Sequence, residues 1–215
     1  MGVILLLSGC VSNGLLSTSS NIKGDISQGV YTGEIGSQPK LGKFSIFIPQ
    51  TQNSYEYLYM QAKQQIGNDY TYVSFGPGAL DFTVFRVMVG DRQNTSLETY
   101  QKKSMPMVVD MAQHAYKQPM KEIAKKRIKI NGKPAIFEVY TQHIPGRMNI
   151  MLQNISPMTY THAIAFVDYG KFVVMFWIQA ANVSGVNAIR KANRSEMANL
   201  TWKPMNKFIR SFKLH

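Results

Sequence analysis

The segment Phe172–Ile178 reads Phe-Val-Val-Met-Phe-Trp-Ile, apolar at every position. It is far too short to cross a membrane as a helix, which takes about 20 apolar residues. Its aromatic and β-branched content marks it as a strand. A strand that is apolar on both sides sits centrally, in a sheet covered on both faces. Asp168-Tyr169-Gly170 precedes it as a turn. The expected hairpin pairs His162–Val167 with Lys171–Ala180.

Two further hairpins follow the same logic. Ile128 and Ile130 alternate with Arg127 and Lys129, and Asn131-Gly132 is the strongest short hairpin signal. Residues 135–141 return from it. Tyr70–Phe75 and Leu80–Val89 are rich in aromatic and β-branched residues, with Gly76-Pro77-Gly78 as the turn. Lys43–Pro49 reads as a strand with Phe44, Ile46 and Ile48 on one face.

Three segments predict helices. Thr95-Ser96-Leu97-Glu98 fits a capping box, and Leu97, Tyr100, Ser104, Met107, Met111 and Ala115 continue at helical spacing. Pro106 predicts a kink or a restart. Val186–Leu200 is a weaker candidate. Pro204 suits the first helical position, and Met205, Phe208, Ile209 and Phe212 then form one apolar stripe. The stripe packs on the sheet, or lies on a membrane as a basic amphipathic helix. The expected class is α+β, a mostly antiparallel β-sheet flanked by helices on both faces.

Composition sets the outer limits. The chain has 215 residues, 45% hydrophobic and 17% charged, which is a globular balance. A single Cys excludes an internal disulfide framework, and four scattered His argue against a zinc finger. The chain opens Met1-Gly2-Val3-Ile4-Leu5-Leu6-Leu7-Ser8-Gly9-Cys10. Leu7-Ser8-Gly9-Cys10 resembles the lipobox of bacterial lipoproteins, with an apolar lead and small residues before the Cys. The resemblance implies a diacylglycerol on the Cys10 sulfur and cleavage before it. No basic residue precedes the apolar stretch, so residues 1–9 read as a truncated signal peptide. Five Ser, three Gly, two Asn and one Thr make up eleven of residues 11–30. Residues 10–39 therefore read as a lipidated Cys with a flexible tether, and 40–215 as a single domain. Val11 follows the Cys in place of Asp, which by lipoprotein sorting implies the outer membrane, facing the periplasm.

The order of elements resembles the PsbP/DcrB-like superfamily, which includes small envelope lipoproteins. Gly42–Pro49 supplies a G-x-F-x-I-x-I-P strand, and Asn131–Ala135 an N-G-K-P-A turn. A hydrophobic hairpin surrounds Tyr169-Gly170-Lys171, and the chain ends Phe208-Ile209-Arg210-Ser211-Phe212-Lys213. The resemblance spans about residues 40–214. It implies an α-β-α sandwich serving as a binding or assembly module, without catalysis or cofactor.

The residues themselves show no Gly-rich phosphate loop and no G-x-S-x-G elbow. His114, His143, His162 and His215 are isolated, so no metal site is expected. Asp81 and Asp91 flank one strand without forming a catalytic pair. Charge is more informative. The net charge is +12, and residues 101–215 hold 18 basic against 5 acidic side chains. Lys117, Lys121, Lys125, Lys126, Arg127, Lys129 and Lys133 form one cluster. Arg190, Lys191, Arg194, Lys203, Lys207, Arg210 and Lys213 form another. Either is a solvated surface or an attractor of polyanions. Tyr55, Tyr57 and Tyr59 are candidates for an exposed aromatic row.

These features together predict a lipoprotein of the bacterial envelope that is not an enzyme, anchored in the membrane through lipid on Cys10. It docks on an envelope protein, anionic lipid or lipopolysaccharide, and not on nucleic acid. The docking face is Lys121, Lys125, Lys126, Arg127, Lys129, Lys203, Lys207 and Arg210. One alternative is a periplasmic hydrolase of an anionic envelope polymer, which needs a cleft with two carboxylates. Another is an immunity-type or small-ligand binding module, which needs an apolar pocket between sheet and helix.

Overall fold

The computed structural model describes residues 24–27, 29–35, 42–47, 62–64, 70–75, 83–92, 94–145, 147–148, 154–155, 157–183 and 194–215. Cys10, the Tyr55–Tyr59 row, Ile48, Pro49 and the 76–78 turn lie outside them.

The strands are β1 (Gly24–Ser27), β2 (Val30–Ile35), β3 (Gly42–Phe47), β4 (Ala62–Gln64), β5 (Tyr70–Phe75) and β6 (Thr83–Asp91). Helix α1 (Leu97–Tyr116) follows, then β7 (Lys121–Ile130), β8 (Lys133–Ile144), β9 (Arg147–Met148), β10 (Asn154–Ile155), β11 (Met158–Tyr169) and β12 (Phe172–Val183). The chain closes with α2 (Arg194–Ala198), α3 (Lys203–Arg210) and β13 (Lys213–Leu214). The class is α+β with a mostly antiparallel sheet.

All three sequence hairpins form. β5 pairs β6, β7 pairs β8, and β11 pairs β12, each antiparallel. Asn131 and Gly132 have φ of 50° and 76°, the double positive φ that a type I′ turn requires. The last turn falls one residue later than expected. Tyr169 already pairs with Phe172, and Gly170 takes φ 81° while its N–H donates to Asp168 Oδ1 at 2.8 Å. β12 is the middle strand of the seven-stranded order β4-β5-β6-β12-β11-β8-β7, as its apolar run requires. The seven residues Phe172–Ile178 are buried.

Side chains alternate between two apolar layers. Met88, Ile164, Phe166, Val173, Met175 and Trp177 pack against Leu97, Tyr100, Met105, Val108 and Ala112 of α1. The intervening Val87, Val89, Ala165, Val174, Phe176 and Ile178 pack the other way. There they meet Met197 of α2, Met205, Phe208 and Ile209 of α3, and a second sheet ordered β1-β2-β3-β13. Burying one such side chain contributes about 1.5–3 kcal/mol, so α3 is held inward by its own stripe. Its apolar face packs on the sheet, which removes the membrane-surface alternative for that face. Phe212 is buried beyond the helix end, stacked on Phe44 at 5.5 Å.

Three expectations need correction and one is narrowed. Residues 24–35 are not all tether: they form β1 and β2, with Tyr31 and Ile35 fully buried in the core. The folded domain therefore begins before residue 40. α1 is N-capped by Ser96, whose Oγ accepts from Thr99 N at 3.1 Å, one residue later than the capping box placed it. Of the kink or restart expected at Pro106, the restart is excluded, since α1 runs through it as one helix. The helix expected over 186–200 is, among the described residues, the short α2.

Candidate functional site: a basic edge strand and its buried anchors

β7 ends the seven-stranded order, so one side of it has no described partner strand. Lysines on such an edge oppose sheet-to-sheet association, which is a sufficient reason for several of them. β7 also carries cations on both faces. Ala124 and Ile128 pack toward the α2–α3 side, and Lys126 lies in step with them. Lys125 pairs with Glu138 and Arg127 with Ile136, whose side chains face α1.

The face drawn from sequence therefore divides. Lys125 Nζ ion-pairs with Glu138, whose side chain is fully buried. Gln101 Nε2 donates to the same carboxylate at 2.8 Å, and Tyr140 OH donates to its other oxygen at 3.1 Å. Burial and the Glu138 charge push the Tyr140 phenol far above its usual range. Arg127 meets Glu98 at 3.1 Å, an exposed pair of small energetic value. Lys126 donates to Ala198 O at 3.2 Å and Asn199 Oδ1 at 3.1 Å, fastening β7 to the end of α2. Three of the eight cations are thus occupied within the molecule.

The others face solvent. Lys121, Lys129, Lys203, Lys207 and Arg210 are exposed, and none has an ion-pair partner among the described residues. Asn131 Nδ2 donates to Arg210 O at 3.1 Å, which joins the β7–β8 turn to the end of α3. Lys207 Nζ lies 3.7 Å over the Phe47 ring, a cation–π contact across to β3. Within 194–215 the one acid is Glu196, against Arg194, Lys203, Lys207, Arg210 and Lys213.

Two clefts open on the surface. One, of about 300 Å³, lies between α1 and β7 and is lined by Glu98, Gln101, Lys102, Lys125, Arg127 and Ile136 among others. The second, of about 420 Å³, is lined by Asp91, Arg92, Asn94, Gly170 and Lys171. Each has one carboxylate among its described lining residues, so neither presents a carboxylate pair there. Arg92 is tied to Asp168 at 2.7 Å. Among the described residues no three His, Cys, Asp or Glu side chains converge on one point. No described helix is long and apolar enough to cross a membrane.

His162 was read as isolated, but the sheet register makes it the centre of a buried chain. Trp177 Nε1 donates to His162 Nδ1 at 3.2 Å, so Nε2 carries the proton and donates to Gln142 Oε1 at 3.1 Å. Gln142 Nε2 donates to Ala112 O at 3.1 Å and Gln118 O at 2.8 Å, tying down the end of α1. Each donor in this chain finds an acceptor, as buried polar groups must. Burial, and then the Arg86 charge, lower the His162 pKa to about 3, so the ring is neutral. His143 bonds Thr159, and His215 bonds Ser45 Oγ at 2.9 Å on the β3–β13 edge.

No protein-family model matches this chain, and no curated protein does either, so its function is read from its own residues.

Proposed function

We propose that this chain is a non-catalytic lipoprotein of the bacterial envelope with a PsbP/DcrB-like α-β-α sandwich domain. Cys10 carries the lipid, and the residues before β1 are the tether. The protein sits at the outer membrane facing the periplasm, and binds an anionic protein surface or lipid head groups. The observation that supports the docking reading is the set of exposed cations on α3 and the adjoining β7 edge that have no ion-pair partner among the described residues: Lys129, Lys203, Lys207 and Arg210. A helix whose apolar stripe is buried and whose outward positions are cationic offers a fixed positive surface to a polyanion. Lys125, Lys126 and Arg127 belong to the support of that surface more than to its contacts.

The test is to neutralise the outward positions alone, as Lys203→Gln, Lys207→Gln and Arg210→Gln together. Cross-linking in intact envelopes should recover the partner with the wild type and lose most of it with the triple variant, at unchanged thermal stability. Equal recovery would sink the basic-face reading. The hydrolase reading finds no carboxylate pair among the described lining residues of either cleft. The small-ligand reading has a separate observation in its favour, developed next.

A further inference from the structure

One cation of the sheet stands apart from the basic edge. Arg86 lies on β6, directly opposite Trp177 of β12 on one side and Ser74 of β5 on the other. Its guanidinium carbon lies over the indole, 4.1 Å from the ring centroid. Nη1 donates to Gln179 Oε1 at 3.0 Å. The indole cannot swing, because Trp177 is buried and its N–H is bonded to His162, itself fixed by Gln142. Four strands thus hold one guanidinium in place.

Among the described residues that guanidinium has no carboxylate partner. The ion pairs of the described residues are Arg92–Asp168, Lys125–Glu138 and Arg127–Glu98. Arg86 is half-buried, so part of its hydration is lost without a charged partner among the described residues to offset it. Of its five N–H donors, one is committed to Gln179. α1 lies over β8 and β11, while Arg86 stands beyond β12 and keeps part of its surface in water. A planar cation with spare donors, stacked on an indole and flanked by a hydroxyl, suits bidentate recognition of an oxyanion.

We propose that Arg86, held over Trp177 and beside Ser74, anchors a binding site for the carboxylate or phosphate group of a small anionic ligand. The site is separate from the basic edge and does not depend on it. The ligand's negative group completes a cation that the fold has positioned and that has no counter-charge among the described residues. Lys in place of Arg keeps the charge and loses both the fork and the stacking.

The experiment is an NMR titration of the full chain carrying Cys10→Ser, following the two indole N–H resonances. Trp202→Phe assigns them. Inorganic phosphate and acetate are the probes, each titrated against chloride at constant ionic strength. A saturable shift of the Trp177 resonance is expected, with Trp202 unmoved, and the tighter probe identifies the oxyanion. Arg86→Met should abolish the shift, and Arg86→Lys should weaken binding at least about tenfold. No saturable shift with either probe, or the same shift in Arg86→Met, would overturn the site. If Arg86→Met fails to fold, Arg86→Lys decides: undiminished affinity there refutes the fork.

Discussion

At the scale of single residues, buried polar groups dominate the energetics. His162 sets an acid limit. Its folded pKa is about 3 against the ordinary 6.5, lowered by burial first and by Arg86 second. Between those values the unfolded chain holds a proton that the folded chain refuses. The contribution is complete above about 6.5 and is lost as pH falls toward 3, by up to about 1.4 kcal/mol per unit. His162→Gln can keep both hydrogen bonds without titrating. The stability difference between wild type and His162→Gln, measured by urea unfolding, should shrink from pH 7 to pH 4.5; a constant difference would refute this. Glu138 and Glu98 make a second contrast. Lys125→Met leaves a buried carboxylate without its cation and should cost about 2 kcal/mol. Arg127→Met breaks an exposed pair and should cost under about 1 kcal/mol. Equal costs would mean that the Glu138 anchor is not structural. None of this was visible in the sequence. Glu138, Gln101 and Lys125, or Arg86, Trp177, His162 and Gln142, stand far apart along the chain. Antiparallel register and helix packing bring them together.

At the scale of elements, local signals were legible and edges were not. Asn131-Gly132 announced its hairpin because both residues accept positive φ at low cost. Asn131→Ala should therefore lose about 1 kcal/mol through its left-handed φ, read as a lowered urea midpoint. The Phe172–Ile178 run announced a central strand because only a doubly covered strand is apolar throughout. The first half of β7 was missed: Lys121–Arg127 reads as a solvated charge run, and an edge strand has the same composition. The helix cap moved from Thr95 to Ser96 because neighbouring hydroxyls are equivalent in sequence and only the chain's entry angle chooses between them. Gln101 faces inward on α1, where a polar residue breaks the apolar pattern, because Glu138 waits beneath it.

At the scale of the molecule, the main error concerned where the domain begins. Ser- and Gly-rich composition predicted slack through residue 39, yet Tyr31 and Ile35 complete the core beside Phe44 and Ile46. Gly33 shows how closely this segment is packed. A Cβ there would stand 2.6 Å from the Tyr31 ring. Gly33→Ala should destabilise the domain by about 1–3 kcal/mol in thermal or urea unfolding. No effect would return the segment to the tether. The larger arrangement, a central sheet with α1 on one side and α2, α3 and a small sheet on the other, leaves the cationic side of α3 turned outward. A lipid anchor ahead of β1 would hold that surface close to a membrane, where weak attraction to anions counts most. The central claim is therefore the anchor, and one measurement tests it directly. The gene, with its upstream in-frame sequence, is expressed in a bacterial host with Cys10 and with Cys10→Ser, the cells are fed labelled fatty acid, and the envelope is fractionated. The account predicts label on the wild type alone, with membrane recovery lost in the variant. Both forms unlabelled and soluble would contradict it.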